Sequence, residues 1–379
     1  MNDNYIVTKY RGRTCGLLTD ERMDPVRIDV ENDEIKCRLG SIYAARVCEI
    51  SDSTGAVFVE LADKEKAYLP KEEEEDALIL NAAEDRCRLC CGDLILVQVC
   101  AEAVKSKLPS VTAYVSLAGS LAVAVMNRAG LGFSKKLDDK DLKTKIKEIC
   151  SERAGELEGF YIVVRTAASA HSAEETVNEA ISLKHSLSDI CERAKKNRKI
   201  CMLKEGENIF VSSAGKAGRV ITDDVRLYDA LKRVNPDTQL YEDRRLPLTA
   251  LYGFERAFKR ALSKTVWLKS GAFLVIEPTE ALVSIDVNTG KSDKDFLSVN
   301  LEACEEIARQ LILRNLSGMI IADLISMKSK DDQEAVLKKM RRALKDDPGG
   351  AVCADITKLG LLEITRKKVR QPLYEIFDI

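Results

Sequence analysis

The chain has 379 residues, 45% hydrophobic and 32% charged, with 59 lysines and arginines against 61 aspartates and glutamates. This length predicts two or three domains that each bury a core, and the ordinary apolar content argues against disorder. No apolar run approaches the roughly 20 residues of a membrane span and the first residues lack a signal-peptide layout, so we expect a cytoplasmic protein. With His171 and His185 as its two histidines, a zinc site of three histidines is excluded.

The twelve cysteines, without an export signal, predict free thiols in a reducing compartment rather than a disulfide framework.

Basic residues are concentrated in Lys338–Arg342 and Lys358–Arg370, although the net charge is −2. Such runs are more often solvated helix faces than binding patches, so they permit a polyanionic substrate without deciding the function.

Short strands dominate the first third of the chain. Residues 1–34 predict strands in a polar setting, at Tyr5–Val7 and Thr14–Leu18. Five β-rich runs separated by turn residues then predict a small all-β barrel. These runs are Ile42–Ile50, Ala56–Leu61, Ala67–Leu69, Leu94–Cys100 and Val111–Val115.

Two aromatic residues, Phe58 and Tyr68, lie ten residues apart in predicted barrel strands. A barrel that binds single-stranded nucleic acid uses such rings as platforms on which bases stack. The alternative is that one or both rings fill the barrel core. The residues alone favour neither interpretation.

Residues 119–208 predict a mixed α/β segment. It contains a helix at Lys140–Arg153, a strong strand at Phe160–Val164 and a long helix at Ala173–Lys196. The strand runs directly into Arg165 and Thr166, whose guanidinium and hydroxyl can form an anion pocket with nearby backbone N–H groups. Arg-Thr pairs are common, so the pattern by itself is a weak signal.

The last third predicts an α/β domain in which strands and helices alternate. An amphipathic helix at Asn300–Leu316, closed by Gly318, precedes a buried strand that ends at Asp323. The other predicted elements are strands at Phe273–Ile276, Ala281–Val287 and Ala351–Ile356 and a helix at Asp331–Lys345.

Carboxylates at two of these strand ends indicate a metal site. Asp286 and Asn288 alternate with apolar residues and therefore emerge on one face of their strand, and Asp323 ends the other. A carboxylate in such a place is costly unless it is paired or holds a cation. An all-oxygen site suits Mg²⁺ or Mn²⁺, with positions left for water and phosphate. The alternative is that Asp286 and Asp323 only cap turns.

The same stretch resembles the catalytic core of the ribonuclease E/G family. The similarity is carried by Thr279–Leu282 with Ile285–Gly290 and by Asn300–Leu311, and it continues at Gly318–Met327 and Gly360–Arg366. Upstream, the family's motifs are matched in the same order at Gly40–Tyr43, Ala56–Val59, Tyr68–Pro70, Ser116–Gly119 and Val163–Ala167. The resemblance covers essentially the whole chain.

The resemblance implies an α/β, multi-domain fold in which an RNase H-like subdomain is split by two insertions. Its parts are expected at residues 1–35 and 209–262. The insertions are an S1-type (OB-type) RNA-binding barrel at 36–118 and a 5′-sensor at 119–208. A DNase I-like catalytic domain at 263–379 is expected to follow.

The resemblance also implies a magnesium-dependent endoribonuclease that cuts single-stranded RNA in RNA processing or decay and prefers a 5′-monophosphate end. Asp286 and Asp323 match the family's metal-binding carboxylates, with Asn288 beside them as the third catalytic residue. Phe58, Tyr68 and Lys107 match barrel positions that grip RNA. Arg165 and Thr166 match the pocket for the 5′-phosphate.

The sequence departs from the family at the zinc link, since no cysteine follows Cys353 and the family's terminal Cys-Pro-x-Cys motif is absent. We therefore expect no structural zinc there, and any homo-oligomer would have to form in another way. Cys87, Cys90 and Cys91 are interpreted as free thiols, because a tetrahedral zinc site needs four ligands. Two other readings remain: a non-catalytic RNA-binding or regulatory protein that kept the fold, and a zinc-dependent RNA-binding module built on Cys87 and Cys90.

Overall fold

The computed structural model describes residues 3–31, 37–81, 88–103, 107–243, 245–327 and 329–377. They form a mixed α/β structure of two compact units, Ile35–Glu207 and the combination of Met1–Glu34 with Asn208–Ile379.

The strands are β1 (Asn4–Tyr10), β2 (Arg13–Thr19), β3 (Pro25–Val30), β4 (Ile42–Ser51), β5 (Ala56–Glu60), β6 (Lys66–Pro70), β7 (Leu94–Ala101), β8 (Ser110–Thr112), β9 (Ser116–Ala118), β10 (Ala122–Met126), β11 (Gly130–Phe133), β12 (Phe160–Val164), β13 (Cys201–Lys204), β14 (Arg219–Thr222), β15 (Thr238–Leu240), β16 (Thr265–Trp267), β17 (Phe273–Pro278), β18 (Leu282–Asn288), β19 (Gly318–Asp323), β20 (Val352–Ile356) and β21 (Leu361–Arg366). The α-helices are α1 (Lys140–Glu152), α2 (Ala154–Leu157), α3 (Ala173–Asn197), α4 (Ile209–Ala214), α5 (Val225–Val234), α6 (Leu248–Leu251), α7 (Phe254–Leu262), α8 (Phe296–Leu313), α9 (Lys330–Ala343) and α10 (Leu373–Ile376).

The predicted small β-barrel is confirmed. Its strands pair in the order β4, β5, β6, β8 and β7, and β7 pairs back with β4, so the sheet closes on itself. Its last strand is shorter than the predicted Val111–Val115 and ends at Thr112. At this point the Glu73 carboxylate accepts hydrogen bonds from the Thr112 hydroxyl at 2.6 Å and from the Ala113 N–H at 2.8 Å. The backbone N–H of Ala113 is therefore bonded to a side chain and not to a neighbouring strand.

The segment after the barrel forms a four-stranded sheet in the order β11, β12, β10 and β9. Helix α3 packs against this sheet, and α1 packs against α3 and shares a hydrophobic cluster with β12. The strand β12 begins and ends at the predicted residues, and α3 is one residue longer than predicted. A capping box starts α3, in which Ser172 and Glu175 satisfy each other's backbone N–H groups. One hydrophobic cluster joins the outside of the barrel at Ile42 and Leu96 to Ile162 and Leu187 of this segment.

The other unit begins with a five-stranded sheet in the order β15, β14, β1, β2 and β3. Strands β1, β2 and β3 are antiparallel, whereas β14 and β15 run parallel to β1. The expected polar setting of β1 and β2 is wrong, since Tyr5, Ile6 and Val7 are fully buried. Helices from a distant part of the sequence cover these strands. Phe210 of α4 packs with Tyr5 and Val7, and Phe258 of α7 lies in the same hydrophobic cluster as Ile6.

The second sheet of this unit runs in the order β16, β17, β18, β19, β21 and β20. Only the pair β18 and β19 is parallel, and helix α8 connects those two strands. Helices α8 and α9 cover one face of the sheet and share its hydrophobic core. On the opposite face the side chains are partly or fully exposed, as shown by Ser284 and Asp286 of β18.

The boundaries of α8 differ from the prediction at both ends. The helix begins at Phe296 because Asp295 caps it, accepting the Ser298 N–H at 2.9 Å. It ends at Leu313, with Asn315 in the left-handed conformation at φ +50°. Gly318 therefore does not close the helix; it is the first residue of β19. The run at Leu361–Arg366, expected only as a motif, forms β21 and separates β19 from β20.

Candidate active site

The structure brings Asp286 and Asp323 together. The two strands are parallel neighbours, and in their register Asp286 is the direct partner of Asp323. Neighbouring strands lie about 4.8 Å apart, so the two carboxylates leave the sheet side by side. Both residues are exposed, while Ile285, Val287 and Ala322 between and beside them are buried.

Asn288 lies two residues beyond Asp286 on the same face of β18. Its side-chain N–H donates a hydrogen bond to Oδ2 of Asp286 at 2.7 Å. This contact orients the Asp286 carboxylate and places the amide oxygen of Asn288 beside it. Within the described residues, neither aspartate accepts a backbone hydrogen bond that closes a turn, so the turn-capping alternative has no support in the geometry.

The loop that follows Asn288 is held in place by backbone contacts. Gly290 has φ +53°, and a Cβ there would lie 2.4 Å from the carbonyl oxygen of Gly271, so the close approach requires glycine. The N–H of Lys291 donates to the same carbonyl at 3.1 Å. At the end of the loop, hydrogen bonds from the hydroxyl and then the backbone of Ser298 lower the pKa of Asp295, the residue that caps α8.

Asn300 fixes the chain beyond Asp323, and sequence reasoning missed this role. It is fully buried on α8. Its side-chain amide donates to the carbonyl of Ile325 at 2.8 Å and accepts the Ile325 N–H at 3.1 Å. An amide residue at a buried position of the helix was the available signal, because a buried amide must find hydrogen-bond partners.

The donor set at this edge of the sheet fits a hard divalent cation. Asp286, Asp323 and Asn288 supply carboxylate and amide oxygens, which Mg²⁺ prefers, and leave positions for water and a phosphate oxygen. In the part of the chain that the structure describes, no group of three or more His, Cys, Asp or Glu side chains is arranged to enclose a metal ion.

Phe58 and Tyr68 face away from the barrel core. They are direct cross-strand partners on β5 and β6, with ring centroids 6.4 Å apart in an edge-to-face arrangement. Both are half-buried, whereas Val57 and Leu69 beside them are fully buried in the core. Lys107 is exposed. The geometry therefore favours surface rings over core filling.

Arg165 and Thr166 lie at the end of β12, as the sequence predicts. The guanidinium of Arg165 donates to the carbonyl of Gly119, and its backbone N–H donates to Leu121 at 2.8 Å. The hydroxyl of Thr166 lies 2.9 Å from that of Ser134, and Thr166 is exposed. Arg165 and Thr166 thus follow the end of an inner strand of the sheet, and the hydroxyl of Ser134 lies close to that of Thr166.

The barrel cysteines do not build a metal site in the described residues. Cys90 and Cys91 are exposed and form no disulfide. Cys87 lies outside the described residues. The backbone N–H of Cys90 donates a hydrogen bond to the carboxylate of Asp93 at 2.7 Å.

Comparison with known proteins gives a consistent result over most of the chain. A family model described as "Ribonuclease E/G family" matches residues 116–369. The chain is 27% identical to "Ribonuclease G" of Escherichia coli, over 92% of this chain and 76% of that protein. It is 29% identical to "Ribonuclease E" of Haemophilus influenzae, over 92% of this chain and 40% of that protein. For "Ribonuclease E" of a Nostoc species the identity is 29%, over 90% and 52%.

The fold and the comparisons together define the class of protein as an endoribonuclease. The chain belongs to the ribonuclease E/G family. The family match contains Asp286, Asn288, Asp323, Arg165 and Thr166. Among the described residues, no helix is long and apolar enough to cross a membrane.

Proposed function

We propose that this endoribonuclease cuts single-stranded RNA with Mg²⁺ as its cofactor, for which Mn²⁺ can substitute, and prefers substrates with a 5′-monophosphate. The observation that carries the proposal is the direct pairing of Asp286 with Asp323 on neighbouring parallel strands. Two exposed carboxylates side by side repel each other, and a bound divalent cation would remove that repulsion.

The finer architecture is part of the same proposal. We assign residues 1–35 and 209–262 to a split RNase H-like subdomain, and three antiparallel strands followed by two parallel ones support this assignment. Residues 36–118 are assigned to an S1-type barrel, 119–208 to a 5′-sensor and 263–379 to a DNase I-like catalytic domain.

In the proposed mechanism, Asp286 and Asp323 would hold the cation, and Asn288 fixes the direction of the Asp286 carboxylate. Bound Mg²⁺ would supply the charge that stabilises a phosphodiester transition state and activates water. Asn300 holds the backbone after Asp323 in one position. In-line attack by water would leave a 5′-phosphate and a 3′-hydroxyl.

The central test uses a 5′-monophosphorylated A/U-rich RNA, incubated with the protein with and without Mg²⁺. Cleavage that requires the cation is the expected result. Binding without cleavage at any Mg²⁺ concentration would instead support the non-catalytic, RNA-binding alternative.

Phe58→Ala and Tyr68→Ala are each expected to weaken RNA affinity by about 1–3 kcal/mol, because each removes a ring on which a base stacks. The thermal midpoint should change little, since both rings lie outside the barrel core. Fluorescence anisotropy with labelled RNA measures affinity, and circular dichroism measures stability. Loss of stability with affinity per folded molecule unchanged would show that the rings are structural.

Arg165→Ala tests the sensor. The wild-type enzyme is expected to cut monophosphorylated RNA at least about tenfold faster than the same RNA with a 5′-hydroxyl, which corresponds to about 1.4 kcal/mol. The variant should lose this preference by slowing only the monophosphorylated substrate. Arg193→Ala, which removes an exposed charge from α3, is the matched control and should keep the preference. Equal slowing of both RNAs would mean that Arg165 has a structural role.

A further inference from the structure

An aromatic pair lies on the open face of the sheet that carries the proposed metal site. Trp267 of β16 is the direct cross-strand partner of Phe273 of β17, and their ring centroids are 5.1 Å apart. The side chain of Trp267 remains 64% exposed. It is the only tryptophan of the chain.

The register of the sheet places this pair next to the proposed catalytic residues. Phe273 is the direct partner of Asn288, so Trp267, Phe273 and Asn288 form one row across the sheet on the same face. The next row contains Val275, Asp286 and Asp323. With strands about 4.8 Å apart, the backbone of Trp267 lies roughly 10 Å from that of Asn288.

The ring of Trp267 is not part of the hydrophobic core of the sheet. Its neighbours Val266 and Leu268 point to the covered face and are buried in the core with Leu274. Trp267 points the other way, with Phe273 beside it and much of its surface open to solvent. A large exposed aromatic group near polar site residues is a feature of binding surfaces.

We propose that Trp267, supported by Phe273, is a stacking platform for a base of the single-stranded RNA close to the phosphate that is cut. This inference rests on the proposed function, since it takes the scissile phosphate to lie at Asp286 and Asp323. Stacking suits a substrate of mixed sequence because every base has a flat π-face. The two rings lie on the same face of the sheet as Asp286 and Asp323. An RNA strand that places a phosphate at these aspartates can therefore pass over the rings. The exposed Lys269, two residues beyond Trp267, adds positive charge for the RNA backbone.

The single tryptophan gives a direct spectroscopic test. The Asp323→Asn variant, which should bind RNA without cutting it, is titrated with 5′-monophosphorylated A/U-rich RNA while tryptophan fluorescence is recorded. Fluorescence is expected to fall and saturate at the same RNA concentration as the anisotropy of labelled RNA. Unchanged fluorescence at saturating RNA would overturn the proposal. A blue shift that depends on protein concentration without RNA would also overturn it, by showing that a second copy of the chain covers the ring.

Substitution provides the second test. Trp267→Ala should weaken RNA binding roughly tenfold, whereas Trp267→Phe should retain most of the affinity. Val352→Ala is the matched control, because Val352 is 59% exposed on β20 at the far edge of the sheet. Wild-type affinity in Trp267→Ala overturns the platform and leaves the proposed function intact. Full cleavage by Asp286→Asn would instead refute the proposed function itself.

Discussion

Asp286→Asn and Asp323→Asn are each expected to leave no more than a few per cent of wild-type cleavage. Each change removes a negative charge that holds the cation and keeps the size of the side chain. Both residues are exposed above a buried strand, so folding and the thermal midpoint should hardly change. Cleavage of a labelled single-stranded RNA at saturating Mg²⁺ measures the effect.

The two aspartate variants should lose metal binding and keep RNA binding. Mn²⁺ binding, followed by electron paramagnetic resonance, is expected to weaken together with cleavage, whereas RNA binding should persist. Glu280→Gln is the control, since Glu280 is an exposed carboxylate in the turn before β18, away from the strand end that carries Asp286. Loss of cleavage with unchanged Mn²⁺ binding would show that the two aspartates have another role.

Arg366→Met is expected to lower the free energy of unfolding of the unit formed by Met1–Glu34 and Asn208–Ile379 by about 3–5 kcal/mol, because it leaves the buried charge of Asp347 without its partner. Arg366 and Asp347 are both almost fully buried and are joined by two hydrogen bonds of 2.9 and 3.1 Å. Arg366 also donates to Asn315 and to the carbonyl of Leu316, each at 2.9 Å. The pair thus ties β21 to the turns that follow α8 and α9.

Urea unfolding followed by circular dichroism measures this loss. Arg342→Met, an exposed arginine on α9, should change stability by no more than about 0.5 kcal/mol. The double variant Asp347→Leu with Arg366→Met should regain part of the stability, because no unpaired charge then remains. A single variant as stable as the wild type would mean that the ion pair contributes little.

Local patterns predicted most of the secondary structure. The apolar run Phe160–Val164 and the long periodic segment that became α3 needed no tertiary information, because their pattern and length match one kind of element. Errors occurred where the hydrogen bonds of a polar side chain set the end of an element. Glu73 replaced a strand partner at Thr112, and Asp295 started α8 a turn before the predicted residue.

The chain by itself identified Asp286, Asn288 and Asp323 as candidate ligands, because side chains alternate along a strand and carboxylates are costly at apolar strand ends. Their pairing was decided by the tertiary structure. The two strands are connected by α8, and their register depends on how this helix packs on the face of the sheet. The same holds for Phe58 and Tyr68, whose alternation allows either face of the barrel until the closed sheet defines an inside. The burial of Tyr5–Val7 likewise depends on helices more than 200 residues away, whose apolar faces cover the strand from both sides.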